Sequence, residues 1–268
     1  MLFQAIQSLG EEVGRGQGRH NGEVNRTLAL EIAVQDPAGV RIAADVGAAR
    51  VELASALALG GLTPSPATLE LALEAAGADG PEVHVLIRPR AGGFHYDADE
   101  LAVSERDVRR AIGAGAQGVV IGALDAGGLL DVEAMSRLRD AASGASVTLH
   151  RAIDMTVDPL ATLHAARGLG LRRILTSGGA STAIGGIDTL RALVAAAEGD
   201  IEIMAGSGVD AVSAPALAAI GVDAIHFSAK RAVSETGGVR MGSAADGVGG
   251  YEVTDHATAL AVCAALGR

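Results

Sequence analysis

From residue 28 onward the chain alternates between short runs rich in Leu, Ile and Val and Ala-rich segments of helical period. Eight such runs stand out: Leu28–Val34, Arg50–Leu53, Val83–Arg88, Gly118–Gly122, Ser146–His150, Arg172–Thr176, Ile201–Met204 and Ala224–Ser228. Short apolar runs separated by helical segments predict parallel strands with their connecting helices outside. The starts lie 22 to 35 residues apart, room in each case for one strand, one helix and two short loops. Eight βα units in one chain of 268 residues predict an α/β fold, a single-domain (β/α)8 TIM barrel, rather than an open doubly wound sheet. No Pro/Ser-rich stretch or charge run divides residues 28–268. Residues 1–27 read as a poorly ordered N-terminal extension, Arg231–Val253 as an irregular Gly-rich segment, and Thr254–Leu266 as a closing helix.

Composition narrows the function classes. Hydrophobic residues at 49% and charged ones at 20% exclude disorder over the whole chain. Three Phe, two Tyr, no Trp, and 21 basic against 32 acidic residues leave neither stacking rings nor positive charge for nucleic acid. The single cysteine, Cys263, excludes an internal disulfide and a thiolate cluster within one chain, which predicts a reducing, cytoplasmic setting. No apolar stretch is long enough for a membrane helix, and the N-terminus lacks the basic start and apolar segment of a secretory signal.

Strand parity points to a site. Side chains on a barrel strand alternate between the helix layer and the interior. Leu30 and Ile32, Val51 and Leu53, Val85 and Ile87, Val147 and Leu149, Ile201 and Ile203, Ile225 and Phe227 take the outward phase. The inward phase then carries Glu31, Glu52, His84, Arg88, Thr148, His150, Thr176, Glu202, Met204, His226 and Ser228, with Ala29, Ala33 and Ala54 between them. Charges are costly to bury unless paired or placed at a cavity mouth, and barrel active sites lie at the C-terminal strand ends.

Four constellations follow. Glu31 and Glu52, from adjacent strands at equivalent depth, form a carboxylate pair suited to acid/base work or a hard divalent metal, or else to a structural network with Arg50 and Arg88. Arg88 and Arg90, in the segment IRPRAGGF, form a clamp for a carboxylate or phosphate. His150 is a base or metal ligand, and Asp154, four residues on, is an acid able to cap the following helix. The turns TSGG (176–179) and AGSG (205–208) offer Ser177, Gly178, Gly206, Ser207 and Gly208 as an anion cradle, completed by His226, Ser228 and Lys230. Met155 and Met204 read as core filling, and Cys263 as a structural residue of the last helix.

The stretches LEIAV (30–34), RVELA (50–54), GGLTPS (60–65), IRPRAGGFHY (87–96), HRAIDM (150–155), ILTSGG (174–179), IMAGSGV (203–209) and IHFSAK (225–230) together resemble the CutC copper homeostasis proteins. The resemblance runs in order across residues 28–230 and implies a (β/α)8 barrel, a cytoplasmic homo-oligomer and a role in copper homeostasis, with copper bound by cysteines that follow the first two strand glutamates. The matching positions here are Ala33 and Ala54, and Cu(I) prefers sulfur donors. Two readings therefore stand: the copper role implied by the resemblance, and an enzyme acting on a small anionic, sugar-like or phosphorylated substrate. In the second, Glu31, Glu52, His150 and Asp154 do the acid/base work or hold a hard metal, while Arg88, Arg90 and the glycine turns hold the anion.

Overall fold

The computed structural model describes residues 27–234 and 250–268. The expected N-terminal extension, Thr27 aside, and the segment around Arg240 lie outside the described residues. Eight parallel strands, β1 (Ala29–Val34), β2 (Arg50–Leu53), β3 (Glu82–Leu86), β4 (Gly118–Ile121), β5 (Ser146–Leu149), β6 (Arg173–Thr176), β7 (Glu202–Gly206) and β8 (Ala224–Phe227), close in sequence order, with β8 pairing back onto β1. Each agrees with its expected run to within two residues. The helices α1 (Pro37–Asp45), α2 (Pro66–Ala76), α3 (Ala98–Gly113), α4 (Val132–Ala141), α5 (Pro159–Gly168), α6 (Ile187–Ala197) and α7 (Ala214–Ala219) follow the first seven strands. Among the described residues no helix is long and apolar enough to cross a membrane.

Helix starts are written into the chain. Asp36–Pro37, Ser65–Pro66 and Asp158–Pro159 each place a capping oxygen before a proline at the first turn, where the cap satisfies an orphan N–H and proline has none to lose. Asp97 and Glu100 close a reciprocal capping box on α3.

After β8 the expected irregular segment is instead bounded by a hairpin. The strands β9 (Lys230–Ser234) and β10 (Gly250–Thr254) pair antiparallel before α8 (His256–Ala265). The β-branched and aromatic residues of KRAVS and GYEVT suit a ladder, a signal hidden by the glycines between them. The hairpin reaches the end of β1: the Nε2 of Gln35 donates to the Glu252 carbonyl.

The main apolar core lies between barrel and helices, where Leu30, Ile32, Leu53, Leu149 and Ile174 are fully buried. Strand six corrects the expected parity. Arg173 stands beside Thr148 and Glu202 in register, and Leu175 beside Met204, so these face inward and Thr176 faces the helix side with Ile174. The barrel interior is accordingly a charge network floored by strand beginnings: Arg173 holds the Glu202 carboxylate through Nε at 2.7 Å and the Thr148 hydroxyl at 3.1 Å. Met204 is buried there, as expected, whereas Met155 is exposed at the end of a short turn rather than filling the core.

Candidate functional site

A cavity of about 850 Å³ opens at the C-terminal strand ends. Of the residues expected at the site, Glu52, Arg88, His150, Ser207, Gly208, His226 and Ser228 line it, as does Lys230. Glu31, Arg90, Asp154, Ser177, Gly178 and Gly206 are not among its lining residues.

Register explains the acidic end of the site. Glu31 stands opposite His226 of β8 on one side and Arg50 of β2 on the other, while Glu52 stands opposite Ala33. Glu52 therefore sits one layer nearer the mouth than Glu31, not at the same depth. The His226 imidazole bridges them, with Nδ1 2.9 Å from a Glu31 oxygen and Nε2 3.8 Å from a Glu52 oxygen, and Arg50 Nε donates to the other Glu31 oxygen at 3.0 Å. Burial raises the pKa of Glu31, but the His226 hydrogen bond and the charges of His226 and Arg50 outweigh it and hold the group far below the carboxylate range. Burial lowers the pKa of His226, yet its bond to Glu31 and the charges of both glutamates carry it upward. Glu52 has no guanidinium partner, and burial, reinforced by Glu31 against the pull of His226, pushes it up to about 7.

The two glutamates thus share a histidine, with Arg50 on the deeper one. The group between the two glutamates is the His226 imidazole, and among the described residues no group of three or more His, Cys, Asp or Glu is placed to hold a metal. Among the described residues sulfur donors do not gather at the mouth either. The Cys263 thiol lies in α8 and donates to the Val46 carbonyl at 3.8 Å, and Met204 sulfur accepts from Arg50 at 4.0 Å within the barrel. Ala33 lines the cavity, and Ala54 packs with Leu86 and Val120. The donors that the described residues present to the cavity are carboxylate, imidazole, guanidinium, ammonium and hydroxyl, without the sulfur that Cu(I) prefers.

The opposite wall carries His150, directly after β5. Its Nδ1 accepts the backbone N–H of Ala152 at 3.1 Å, so the ring itself caps the short helical turn Arg151–Met155. Gly122 leaves room for the ring: a Cβ there would collide with Cε1 and Nδ1 of His150. Phe94 lies against it with ring centroids 4.6 Å apart. Burial and the charge of Arg88 lower the His150 pKa to about 3, leaving the ring neutral.

Arg88 is less free than expected of a clamp. Its NH1 donates to the carbonyls of Leu59 and Gly61 and its NH2 to that of Gly92, pinning the β2α2 and β3α3 loops together. Arg90 faces the rim: it grips Glu100 at the start of α3 and the carbonyls of Gly93 and His95.

The turn after β6 is an anion cradle, but the chain fills it. The Asp154 carboxylate accepts the backbone N–H groups of Ser177 and Gly179 and the hydroxyls of Thr176 and Ser177. Asp154 therefore does not cap its own helix, and the Ser177–Gly178 turn is closed to an outside anion. The Gly178 N–H itself donates to the Thr176 hydroxyl. Gly206 is needed for close packing, since a Cβ would strike Leu175. Ser207, with φ of 88°, and Gly208 stay at the cavity wall.

Two residues of the site carried no role in the sequence reading. Arg151 ties three loops together through Asp154 at 2.8 Å, Ser177 at 2.9 Å and Ser207 at 3.1 Å. Phe94 supplies the aromatic wall. Both lie inside long motifs, HRAIDM and IRPRAGGFHY, and the rarity of aromatics in this chain could have marked Phe94 out.

Comparison with known proteins agrees with this geometry at the level of fold. The profile of the CutC family matches residues 28–231. A CutC family protein of Sinorhizobium medicae is 48% identical over 194 residues, covering 72% of this chain and 77% of the relative. One from Xanthomonas campestris is 44% identical over 208 residues, covering 77% and 85%. The crystal structure of CutC from Streptococcus agalactiae, a protein named for copper homeostasis, superposes with a TM-score of 0.69 at 31% identity, covering 75% of this chain and 99% of that one.

Proposed function

The chain belongs to the CutC family, and from that premise we propose that its barrel mouth is a site for a small polar molecule worked by Glu52. Any part it takes in copper homeostasis, the role for which the family is named, is then exercised without Cu(I) held in that mouth. The observation that carries this reading is the chain Arg50, Glu31, His226, Glu52, which ends at the cavity wall with His226 and Glu52 and leaves only Glu52 without a close counter-charge. A carboxylate that exchanges its proton near neutrality suits general acid/base work, because the best catalytic pKa lies near the working pH.

The test is a pair of titrations on the purified full chain. Cu(I) offered in competition with a tight bicinchoninate-type chelator should stay with the chelator. Thermal-shift screening with small carboxylates, hydroxamates and phosphates should find compounds whose effect depends on pH around 7 and disappears in Glu52→Gln. Retention of one Cu(I) per chain against the chelator would restore the copper-binding reading. A panel with no response, or one equally strong in Glu52→Gln, would refute the role given to Glu52.

A further inference from the structure

Two buried donors in the cavity wall have no partner: Nε2 of His150 and Nε of Arg88. Their residues are 5% and 7% exposed, and both line the cavity. An unsatisfied buried donor costs about 1–3 kcal/mol, so two in one wall call for an explanation. Both stand against the same ring, the Arg88 guanidinium 5.4 Å from the Phe94 centroid and the His150 ring 4.6 Å from it.

Local bonding settles which His150 nitrogen carries hydrogen. Nδ1 accepts the Ala152 N–H and must present its lone pair there, so in the neutral ring the proton is on Nε2. His150 then carries a buried hydrogen-bond donor at Nε2, in a residue of the cavity wall, rather than the base that strand position alone suggested. Arg88 has both NH1 hydrogens and one NH2 hydrogen committed to carbonyls, and the Tyr96 hydroxyl lies beside the guanidinium, while its Nε–H has no partner of its own.

We propose that His150 Nε2–H and Arg88 Nε–H form a two-donor oxygen site, and that the ligand of this mouth is a small carbonyl compound whose oxygen they receive. The assignment rests on the reading of the mouth as a small-molecule site with Glu52 as its proton-exchanging group. β2 and β5 stand on well-separated arcs of the closed barrel, so Glu52 and His150 face the ligand from different sides. Glu52 takes the proton from the carbon beside the carbonyl, the C–H electron pair forms the C=C bond, and the C=O pair moves onto oxygen. The resulting enolate oxygen is the acceptor both donors await, and return of the proton from Glu52 to carbon completes the exchange. No oxidant, metal or second substrate enters the balance. A neutral imidazole donor set opposite a carboxylate base is a known solution for this chemistry.

The test is nitrogen NMR of the full chain labelled at histidine, with acetohydroxamate as an enolate-like probe and glycerol as a control without a carbonyl. His150 should show a protonated Nε2 and a bare Nδ1, unchanged from pH 8 to pH 5, and acetohydroxamate but not glycerol should shift its Nε2–H. His150→Asn keeps an acceptor for the Ala152 N–H but removes the Nε2 donor, and should weaken the probe at least tenfold. His150→Gln, which restores an N–H near the Nε2 position, should recover part of that loss. A protonated Nδ1, an imidazolium at pH 7, or a correct tautomer indifferent to acetohydroxamate would each overturn the oxygen site. If instead the donors respond while Glu52→Gln leaves every pH dependence intact, the oxygen site stands and the role of Glu52 fails.

Discussion

At the residue scale the acidic pair divides into two unlike groups, and pH exposes the difference. Unfolded, Glu52 takes the ordinary carboxylate value of 4.5, and folded it sits at about 7. Folding takes up a proton between those values, so the stability this group contributes is fully present below the lower value and is lost as pH rises through the upper one. Glu31 runs the other way: its folded value is depressed, and its contribution is present above 4.5 and lost in acid. Glu52→Gln should therefore gain stability relative to the parent as pH rises from 5 to 8, read from denaturant melts across that range. Parallel pH profiles would mean that Glu52 is not held protonated by the fold. Asp154 makes a different prediction. Asp154→Ala strips the partner from two backbone N–H groups, two hydroxyls and Arg151, and should cost at least about 1–3 kcal/mol, the penalty for a buried donor left unsatisfied. A urea midpoint within experimental error of the parent would show the cradle to be dispensable.

At the element scale the strand ends do the positioning, and glycine matters where a ring must pass. Gly122→Ala should displace His150, costing about 1–3 kcal/mol as overpacking does, and should disturb the His150 nitrogen signals more than those of His226. Elements were legible because their signals are local: an Asp–Pro or Ser–Pro step starts a helix whatever surrounds it. Asp97→Ala tests that, with about 1 kcal/mol expected from loss of the cap and no change at the mouth. The inward phase of β6 was misread because RRILTS offers polar residues in both phases, and only pairing with β5 and β7 chooses between them. The β9–β10 ladder was missed because its two strands are separated by a long Gly-rich interval, and long-range pairing leaves no mark at short range.

At the scale of the whole molecule the barrel interior combines ion pairs with two small apolar clusters, Ala54 with Leu86 and Val120, and Leu175 with Met204 and Ala224. Arg173→Met alone should be strongly destabilising, since it leaves Glu202 with only the more exposed Arg172 as partner, whereas pairing it with Glu202→Leu should recover much of the loss. Equal thermal midpoints for the single and double variants would show that the charge left behind is not the cause.

The sequence by itself determined the closed eight-strand barrel, its strand limits and the family, because hydrophobic period, spacing and caps are properties of neighbouring residues. It also brought the right residue types to the strand ends. Only the tertiary structure decided what those residues do. Stagger between β1 and β2 lifts Glu52 above Glu31, β8 closing on β1 puts His226 between the two glutamates, and Asp154 fills the cradle after β6. Each outcome depends on which side chain from a distant strand arrives first to satisfy a buried charge or N–H, and residues as far apart as Glu31 and His226 become partners only when the barrel closes.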